Sequence, residues 1–385
     1  MFKVVVGQSE DPSAQDAVAE IIDQINKGLG DIRPQAGLLL CSLDFDHACI
    51  ISGIRHAYPG IELVGCTTDG ESSSIYGFKG DSVILMVFAS DNVEIRAGVG
   101  KKLNRRGKDA GRDAASTARK KLKRCKDQER FSIMLSDPMN AGVSNVSEGM
   151  DEEFGRNFPL IGAASAAHSK LITTYQFYND EILTDSIVLL LFAGPVSFSW
   201  GVQGGHAPIG GKEKITASSK NVLYTIGDEP ALNYFRRYVG ESYSLFMNYC
   251  LAIFEEGRKG FYVRSAPGYD VETGSVTLNG VISEGAYVQI GTADKETCID
   301  SCANSIQMAI EGYPGTKPEA AVFFSCAGRK MIMGSQVVEE TQTVRRYLNG
   351  IPFCGFYAYG EFCPLEEGSQ SMFHGTTFVT LLIGS

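Results

Sequence analysis

The chain has 385 residues, enough for two or three domains, and 44% of them are hydrophobic, so a large core is available. Its formal net charge of −10 and pI of about 5.1 exclude a general binder of nucleic acid or of anionic membranes, because both need a basic surface. The sequence also lacks a run of roughly 18 apolar residues, which predicts that no segment inserts into a membrane.

The first residues, MFKVVVGQSEDPSAQ, have neither the basic segment nor the long apolar segment of a signal peptide. We therefore expect a cytoplasmic protein. Its ten cysteines are expected to be free thiols, because disulfides are rare in a reducing compartment.

Three segments share one order of parts, which predicts three repeated units. Each has an apolar strand, a helix, a second apolar strand that ends in a glycine-rich turn, and a last strand. The second strands and their turns are IELVGCTTDGES (61–72), FPLIGAASAAHS (158–169) and IPFCGFYAYGEFC (351–363). Strand–helix–strand crossovers predict parallel pairing within each unit, and the last strand is expected to pair antiparallel.

Two regions lie outside this repeat. The basic stretch 101–125 has small residues at helical spacing and predicts a helix with a solvated basic face. The segment 206–291 predicts further strands, with a helix beginning near Pro230.

The predicted fold class is α/β, or mixed α+β. Repeated strand–helix–strand units form mostly buried sheets flanked by helices, in two domains. Residues 1–205 form the first domain with two units, and residues 206–385 form the second, with one unit and the added strands and helices.

The glycine-rich turns are a predicted ligand site, because ligands of open α/β sheets bind beyond the carboxyl ends of the strands. The alternative is the interface between the two predicted domains, since domain junctions are common ligand sites. Two of the turns place a carboxylate six residues after a glycine, from Gly65 to Glu71 and from Gly355 to Glu361. The second turn continues from Gly162 as AASAAH and lacks the acid. Each carboxylate either binds a ligand or accepts hydrogen bonds from its own turn.

Arg329, after the first strand of the third unit, suggests a further contact. With Glu361 it would bind the two charged groups of an amino acid; if Glu361 itself is its partner, Arg329 is an internal clamp. The complete predicted ligand-binding set is Gly65, Cys66, Thr67, Glu71, Gly162, Ser165, Cys326, Arg329, Gly355, Tyr357, Tyr359, Gly360 and Glu361.

No catalytic motif accompanies these turns, so a non-enzymatic protein is expected. The alternative is a cysteine-dependent hydrolase or transferase that uses Cys66, Cys326 or Cys354, whose activated thiolate would react quickly at neutral pH. A second alternative is a protein-interaction scaffold without a deep pocket.

The motifs FFSCAGR, GIPFCGFYAYGEFCP and FHGTTFVTLL, in that order, resemble the C-terminal domain of the FIST family. LVGCTTDGES and FPLIGAASA resemble its N-terminal domain. The resemblance spans essentially the whole chain. It implies a sensory module that binds a small molecule such as an amino acid and relays the signal to a partner.

The length and two-domain layout are also similar to the nitric-oxide-sensing branch of that family (NosP), which implies haem b as a candidate cofactor and a histidine kinase as a candidate partner. His206, where the family usually has a hydrophobic or aromatic residue, would then be the iron ligand, with His168 as second choice. Phe356, Tyr357 and Tyr359 would form the apolar wall.

Overall fold

The computed structural model describes residues 1–138, 145–168, 173–241, 249–257 and 260–385. It contains three units of one design, and each unit begins one strand and one helix earlier than the sequence pattern indicated. The first unit consists of β1 (Phe2–Ser9), α1 (Ala14–Leu29), β2 (Ala36–Ser42), α2 (His47–Ala57), β3 (Glu62–Thr68), β4 (Glu71–Ser73), β5 (Gly77–Lys79) and β6 (Val83–Ser90).

The second unit repeats this order. It consists of β7 (Glu94–Lys101), α3 (Leu103–Lys120), β8 (Glu129–Ser136), α4 (Val146–Phe154), β9 (Leu160–Ala164), β10 (Gln176–Tyr178), β11 (Glu181–Leu183) and β12 (Ser186–Ala193). The basic stretch is α3, as predicted, and its small residues Ala110, Ala114 and Ala118 are buried.

The third unit is interrupted after its first strand, β13 (Ser197–Gly204), by a segment that we call the inserted sheet. This sheet consists of β14 (Ala207–Ser219), β15 (Val222–Ile226), β16 (Glu229–Pro230), α5 (Ala231–Val239), β17 (Tyr249–Phe254), β18 (Tyr262–Ser265), β19 (Gly268–Tyr269), β20 (Val276–Thr277) and β21 (Tyr287–Thr292).

The third unit then continues in the same order as the others. It consists of α6 (Lys295–Glu311), β22 (Ala320–Cys326), α7 (Ala327–Met333), a 3-10 turn (Gly334–Val337), α8 (Val338–Tyr347), β23 (Phe353–Ala358), β24 (Glu361–Pro364), β25 (Ser371–His374) and β26 (Thr377–Gly384).

The strand pairing confirms the predicted mixed sheets. β2 and β3, β8 and β9, and β22 and β23 pair in parallel, whereas β6, β12 and β26 pair antiparallel with their neighbours. All ten cysteines are free thiols, also as predicted. Within the described residues, no helix is both long and apolar enough to cross a membrane.

Each unit gives its hairpin to the sheet of another unit. β4–β5 of the first unit joins the third sheet (β13-β26-β22-β23-β4-β5), β10–β11 joins the first (β1-β6-β2-β3-β10-β11), and β24–β25 joins the second (β25-β24-β9-β8-β12-β7). The exchange is cyclic, so the three units enclose one shared apolar core, which includes Phe88, Phe192 and Phe356. The predicted boundary between residues 205 and 206 stays a prediction.

Candidate functional site

The three glycine-rich turns meet at one end of the molecule. The Asp69 amide of the first turn donates to the Tyr357 carbonyl of the third unit at 3.0 Å, and the Ala166 amide of the second turn donates to the Thr67 carbonyl at 2.9 Å. The Ala164 amide donates to the Gly360 carbonyl of the third turn at 2.8 Å. The turns therefore form a closed ring in which each turn is bonded to the next.

The repeated glycine of each turn has a packing reason. A Cβ atom would lie 2.1 Å from the Leu39 carbonyl oxygen at Gly65, and 1.8 Å from the Met134 carbonyl oxygen at Gly162. Gly355 faces the neighbouring strand in the same way. Glycine is needed here because the paired backbones approach too closely for any side chain.

The three hairpins each begin with a buried polar residue in the same register. Glu71 pairs with Phe356, Gln176 with Cys66 and Glu361 with Ala163, in each case one residue after the repeated glycine. The second unit therefore has a counterpart of the two carboxylates, which the sequence did not reveal because a longer turn precedes Gln176. Gln176 Nε2 donates to the Ser165 hydroxyl at 2.7 Å.

The carboxylate of the first unit is fully hydrogen-bonded. The Ser82 amide and hydroxyl donate to Glu71 Oε2 at 3.1 and 2.8 Å, and the Thr68 hydroxyl donates to Oε1. Burial nevertheless raises the pKa of Glu71 to about 8, although these hydrogen bonds act in the opposite direction.

The carboxylate of the third unit lacks one of these partners. The Thr377 amide and hydroxyl donate to Glu361 Oε2 at 3.2 and 2.7 Å, which repeats the role of Ser82. Ala358 stands where the first unit has Thr68, since each follows the repeated glycine by three residues. Within the described residues, Glu361 Oε1 consequently lacks the hydroxyl partner that Glu71 has, although the Cys326 thiol acts on the carboxyl group as a weak hydrogen-bond partner. Burial raises the pKa of Glu361 to about 8, against the effect of its hydrogen bonds.

A second unpartnered group lies on the same side of the third unit. His206 is only 4% exposed, and neither of its ring nitrogens has a hydrogen-bond partner among the described residues. Burial, and then the nearby Arg329 charge, lower the pKa of His206 to about 4, so the imidazole is neutral at pH 7. The same Arg329 charge acts on Glu361.

Two thiols lie between these groups. Cys326 ends β22 beside Glu361, and the Cys250 Sγ atom is 4.0 Å from the Thr376 hydroxyl. A Cβ atom on Gly291 would lie 3.3 Å from His206 Cβ and 3.6 Å from the Cys250 carbonyl oxygen. We call this set, made of His206, Cys250, Cys326, Thr376 and Glu361, the junction pocket, because it joins the inserted sheet to the third unit. It is a cluster of buried side chains, and none of the five lines any of the four surface cavities described below.

Arg329 is an internal clamp, and its partner is Glu340 rather than Glu361. The guanidinium NH2 donates to Glu340 Oε1 at 2.6 Å and to the Cys298 carbonyl at 2.6 Å, and NH1 donates to the Ser301 hydroxyl at 2.7 Å. Tyr357 completes the cluster, with its hydroxyl donating to Glu340 Oε2 at 2.5 Å. Arg329 is fully buried, and its guanidinium donors are engaged by Glu340, Cys298 and Ser301.

The described arrangement does not fit a haem. Phe356 packs in the central core, Tyr357 in the Arg329–Glu340 cluster, and the Tyr359 hydroxyl donates to the Ala167 carbonyl, so the three rings do not share a wall. The imidazole of His168 is engaged, with Nε2 lying 3.0 Å from an Asp44 oxygen. Four surface cavities have volumes of about 210 to 430 Å³, and neither histidine lines any of these four.

The three candidate nucleophiles are poorly suited to thiolate chemistry. Burial raises the pKa of Cys66 and of Cys326 well above the ordinary thiol value, and it also raises the pKa of Cys354. A buried thiol with a raised pKa reacts slowly.

The remaining predicted residues support the turns themselves. Thr67 Oγ1 accepts from the Tyr175 amide at 3.0 Å, and the Ser165 hydroxyl lies 2.9 Å from the Ser136 carbonyl. Gly360 has a φ of +126°, and a Cβ atom there would lie 2.1 Å from the Phe373 ring. Sequence reasoning missed three residues, Cys250, Thr376 and Glu340. Only Thr376 had a signal in the sequence, because the segment TTF (376–378) of the third unit occupies the same place before the last strand as the segment DSV (81–83) of the first unit.

The fold and its turns define a protein built from three repeated units, with its polar groups buried at the strand ends. The FIST N domain model matches residues 35–229 and the FIST C domain model matches residues 231–364. The chain belongs to the FIST family. FIST domains are associated with signalling and with the sensing of small ligands.

The chain is similar to further proteins over nearly its full length. It is 22% identical to the uncharacterized protein MT0656 of Mycobacterium tuberculosis (98% of each chain) and 23% identical to the uncharacterized protein Mb0898c of Mycobacterium bovis (98% of this chain, 97% of that protein). Among solved structures, a cyanuric acid hydrolase from A. caulinodans aligns over 100% of this chain and 99% of that one. Its TM-score is 0.41 at 10% identity, too low to support an argument about function.

Proposed function

We propose that the protein is a non-catalytic sensor that binds a small ligand in the junction pocket and relays binding to a signalling partner. One observation carries the proposal: Glu361 Oε1 and both ring nitrogens of His206 are buried without hydrogen-bond partners among the described residues. Such atoms cost free energy unless something binds them, so natural proteins rarely leave them empty.

The position of the pocket suggests how binding is relayed. Cys326 directly precedes α7, and Lys330 on α7 donates to the Asp69 carboxylate of the first turn at 2.8 Å. A ligand that displaces Cys326 would shift α7 and strain this contact between two units. Met331, on the same helix, is 50% exposed and offers an apolar contact for a partner, for which a histidine kinase is the candidate.

Neither of the two ligand classes predicted from the sequence, an amino acid or haem, is favoured. An amino acid would need Arg329, which Glu340 occupies, and haem does not fit the described residues. The hydrolase alternative is not favoured because the thiol pKa values are raised.

The test is native mass spectrometry and a visible spectrum of the full chain, purified without added ligand. We expect the mass of a bound small molecule in the wild type and its loss in Glu361→Met. Glu71→Gln, which changes the equivalent carboxylate of the first unit, is the matched control and is expected to keep the bound mass. A Soret band would contradict the exclusion of haem. An absence of added mass, together with no thermal stabilisation by any small-molecule probe, would refute the sensor.

A further inference from the structure

We infer that the basic segment at the end of α3 is a docking surface for an acidic polypeptide, separate from the junction pocket. This segment, which we call the basic turn, comprises residues 119–126 (RKKLKRCK). Six of its eight residues are Lys or Arg, in a chain whose formal net charge is −10. Three properties of the basic turn support the inference: its unpaired charge, its fixed backbone and the cavity beside it.

Internal carboxylates neutralise the body of α3 but only part of the basic turn. Lys108 and Arg112 both pair with Glu152 of α4, at 2.7 and 3.4 Å. Within the basic turn, Arg119 and Lys121 each pair with a glutamate. The other four basic side chains are exposed and form no ion pair in the described part of the chain. They are Lys120, Lys123, Arg124 and Lys126.

The end of a helix explains only part of this charge. α3 ends at Lys120, and the dipole of a helix attracts cations within its last turn. Lys123, Arg124 and Lys126 lie three to six residues beyond that end, where the dipole no longer stabilises them. Their mutual repulsion is therefore not offset within the protein, and an external anion would relieve it.

A buried carboxylate fixes the backbone of the basic turn. Glu94 on β7 is 1% exposed and accepts from the amides of Lys123, Arg124 and Cys125 at 2.7–3.2 Å. Arg124 NH1 also donates to the Asp91 carbonyl at 2.5 Å. These hydrogen bonds hold the turn in one conformation, so a partner that binds it loses less free energy to ordering the backbone.

A surface cavity of about 360 Å³ lies beside the basic turn, and Lys120 and Lys126 both line it. Asp127 and Glu129 line it as well, but Arg119 pairs with both of them. Within the described residues, the lining therefore has two unpaired cations against one unpaired carboxylate, that of Glu153. The cavity suits an acidic side chain of the bound polypeptide.

The surface favours an acidic polypeptide over a nucleic acid. Proteins that bind single strands stack bases on aromatic side chains, and residues 101–130 contain no aromatic residue. These thirty residues include thirteen Lys or Arg and four Asp or Glu, so the rest of the chain has a formal charge of −19. That charge repels a long polyanion, whereas a short run of Asp and Glu contacts only the basic turn.

The experiment measures fluorescence anisotropy of a labelled peptide of alternating glutamate and glycine, mixed with the full chain at about 50 and 150 mM NaCl. We expect the peptide to bind, and to bind more weakly at the higher salt concentration, because exposed charges are screened. Lys123→Glu/Lys126→Glu should weaken binding by about tenfold or more. Lys214→Glu/Lys317→Glu, the matched control, makes the same charge change at exposed lysines elsewhere and should leave the affinity within about twofold of the wild type.

Three results would overturn the inference. Equal weakening by the two double variants would mean that the peptide responds to net charge alone. Tighter binding of a labelled oligothymidine of the same charge would assign the surface to nucleic acid instead. No binding of the peptide at the lower salt concentration would exclude the docking surface. Circular dichroism and the unfolding temperature check that both variants fold, and native mass spectrometry of Lys123→Glu/Lys126→Glu tests the junction pocket independently.

Discussion

The first and third units place a glutamate at the same point of the same fold, yet the two carboxylates differ in one hydrogen bond. Glu71 accepts from the hydroxyls of Thr68 and Ser82, whereas Glu361 accepts from the Thr377 hydroxyl and has the Cys326 thiol in place of a second hydroxyl. The difference is one hydroxyl, because Ala358 replaces Thr68. A repeated fold can therefore keep a structural carboxylate in one unit and free the same carboxylate for a ligand in another.

The residues around Glu361 also have fewer hydroxyl partners than the residues around Glu71. The first unit has Ser42 where the third has Cys326, and Ser42 donates to Asp81 at 2.9 Å, so its hydroxyl is partnered. The third unit adds the inserted sheet, which brings His206 and Cys250 close to the strand ends. The proposed site of the third unit thus differs from the first unit by the absence of one hydroxyl and the presence of the inserted sheet.

The largest expected effect concerns the ion pair that neutralises the third unit. Arg329→Met leaves Glu340 buried without its partner and should destabilise the protein by about 3–5 kcal/mol in urea unfolding. The double variant Arg329→Met/Glu340→Met should recover part of this loss. Lys27→Met, at an exposed pair with Asp23, serves as control and should cost about 0–1 kcal/mol. An equal cost for both single variants would contradict the clamp.

The next effect is the pH dependence of the two carboxylates. A folded-state pKa near 8, above the ordinary 4.5, means that the folded protein keeps a proton that the unfolded chain loses. The stabilisation is complete below about 4.5 and is lost as the pH rises through 8, by up to about 1.4 kcal/mol per pH unit for each group.

Each of Glu71→Gln and Glu361→Gln should remove one such slope when urea unfolding is compared at pH 6 and pH 8. His206, with a pKa lowered from 6.5 to about 4, contributes the opposite slope below about pH 6.5 and so still acts at pH 6. Because His206 is present in the wild type and in both variants, its contribution cancels when each variant is compared with the wild type. If only Glu361→Gln changes the slope, the hydrogen bonds of Glu71 outweigh its burial and the two sites are not electrostatically alike.

A feature common to all units gives the third effect. Gly162→Ala places a Cβ atom 1.8 Å from the Met134 carbonyl oxygen and should cost about 1–3 kcal/mol in thermal or urea unfolding. Gly80→Ala, at an exposed glycine with open space around it, is the control and should change stability by less than about 0.5 kcal/mol. A neutral Gly162→Ala would mean that the strands can separate at the turn.

Much of the similarity between the three units was predictable, because it depends on local patterns in the sequence. The apolar runs predicted the three units and the parallel pairs, and the spacing from Gly65 to Glu71 and from Gly355 to Glu361 predicted a carboxylate at two of the turns, though not its burial. The hairpin exchange between units was not predictable, because β4, β10 and β24 carry no signal for which sheet they join. Gln176 was missed for a related reason, since its turn is longer than the other two.

The site was predictable only in part. Glu361 and Cys326 were predicted as ligand-binding residues and His206 only as a haem ligand; the role of all three in the junction pocket is a proposal. Glu340, the partner of Arg329, lies on a helix eleven residues further along, and no spacing rule connects them. A charged pair of this kind forms because the tertiary fold packs the two residues together, and no local motif in the sequence indicates it.

The smallest single effect, that of Ala358→Thr, belongs to the most direct test of the comparison, an exchange of the two residues that distinguish the units. Thr68→Ala removes the donor to Glu71 Oε1 and should cost about 1–3 kcal/mol, because a buried acceptor loses its partner. Ala358→Thr should stabilise the ligand-free protein by about 1 kcal/mol, because a formerly free oxygen gains one. Both are measured by urea unfolding after exhaustive dialysis. The opposite outcome is that Ala358→Thr destabilises the dialysed protein and Thr68→Ala leaves its stability unchanged. In that case the hydroxyl at this position does not determine whether Oε1 of the glutamate is hydrogen-bonded, and the junction pocket results from the inserted sheet alone.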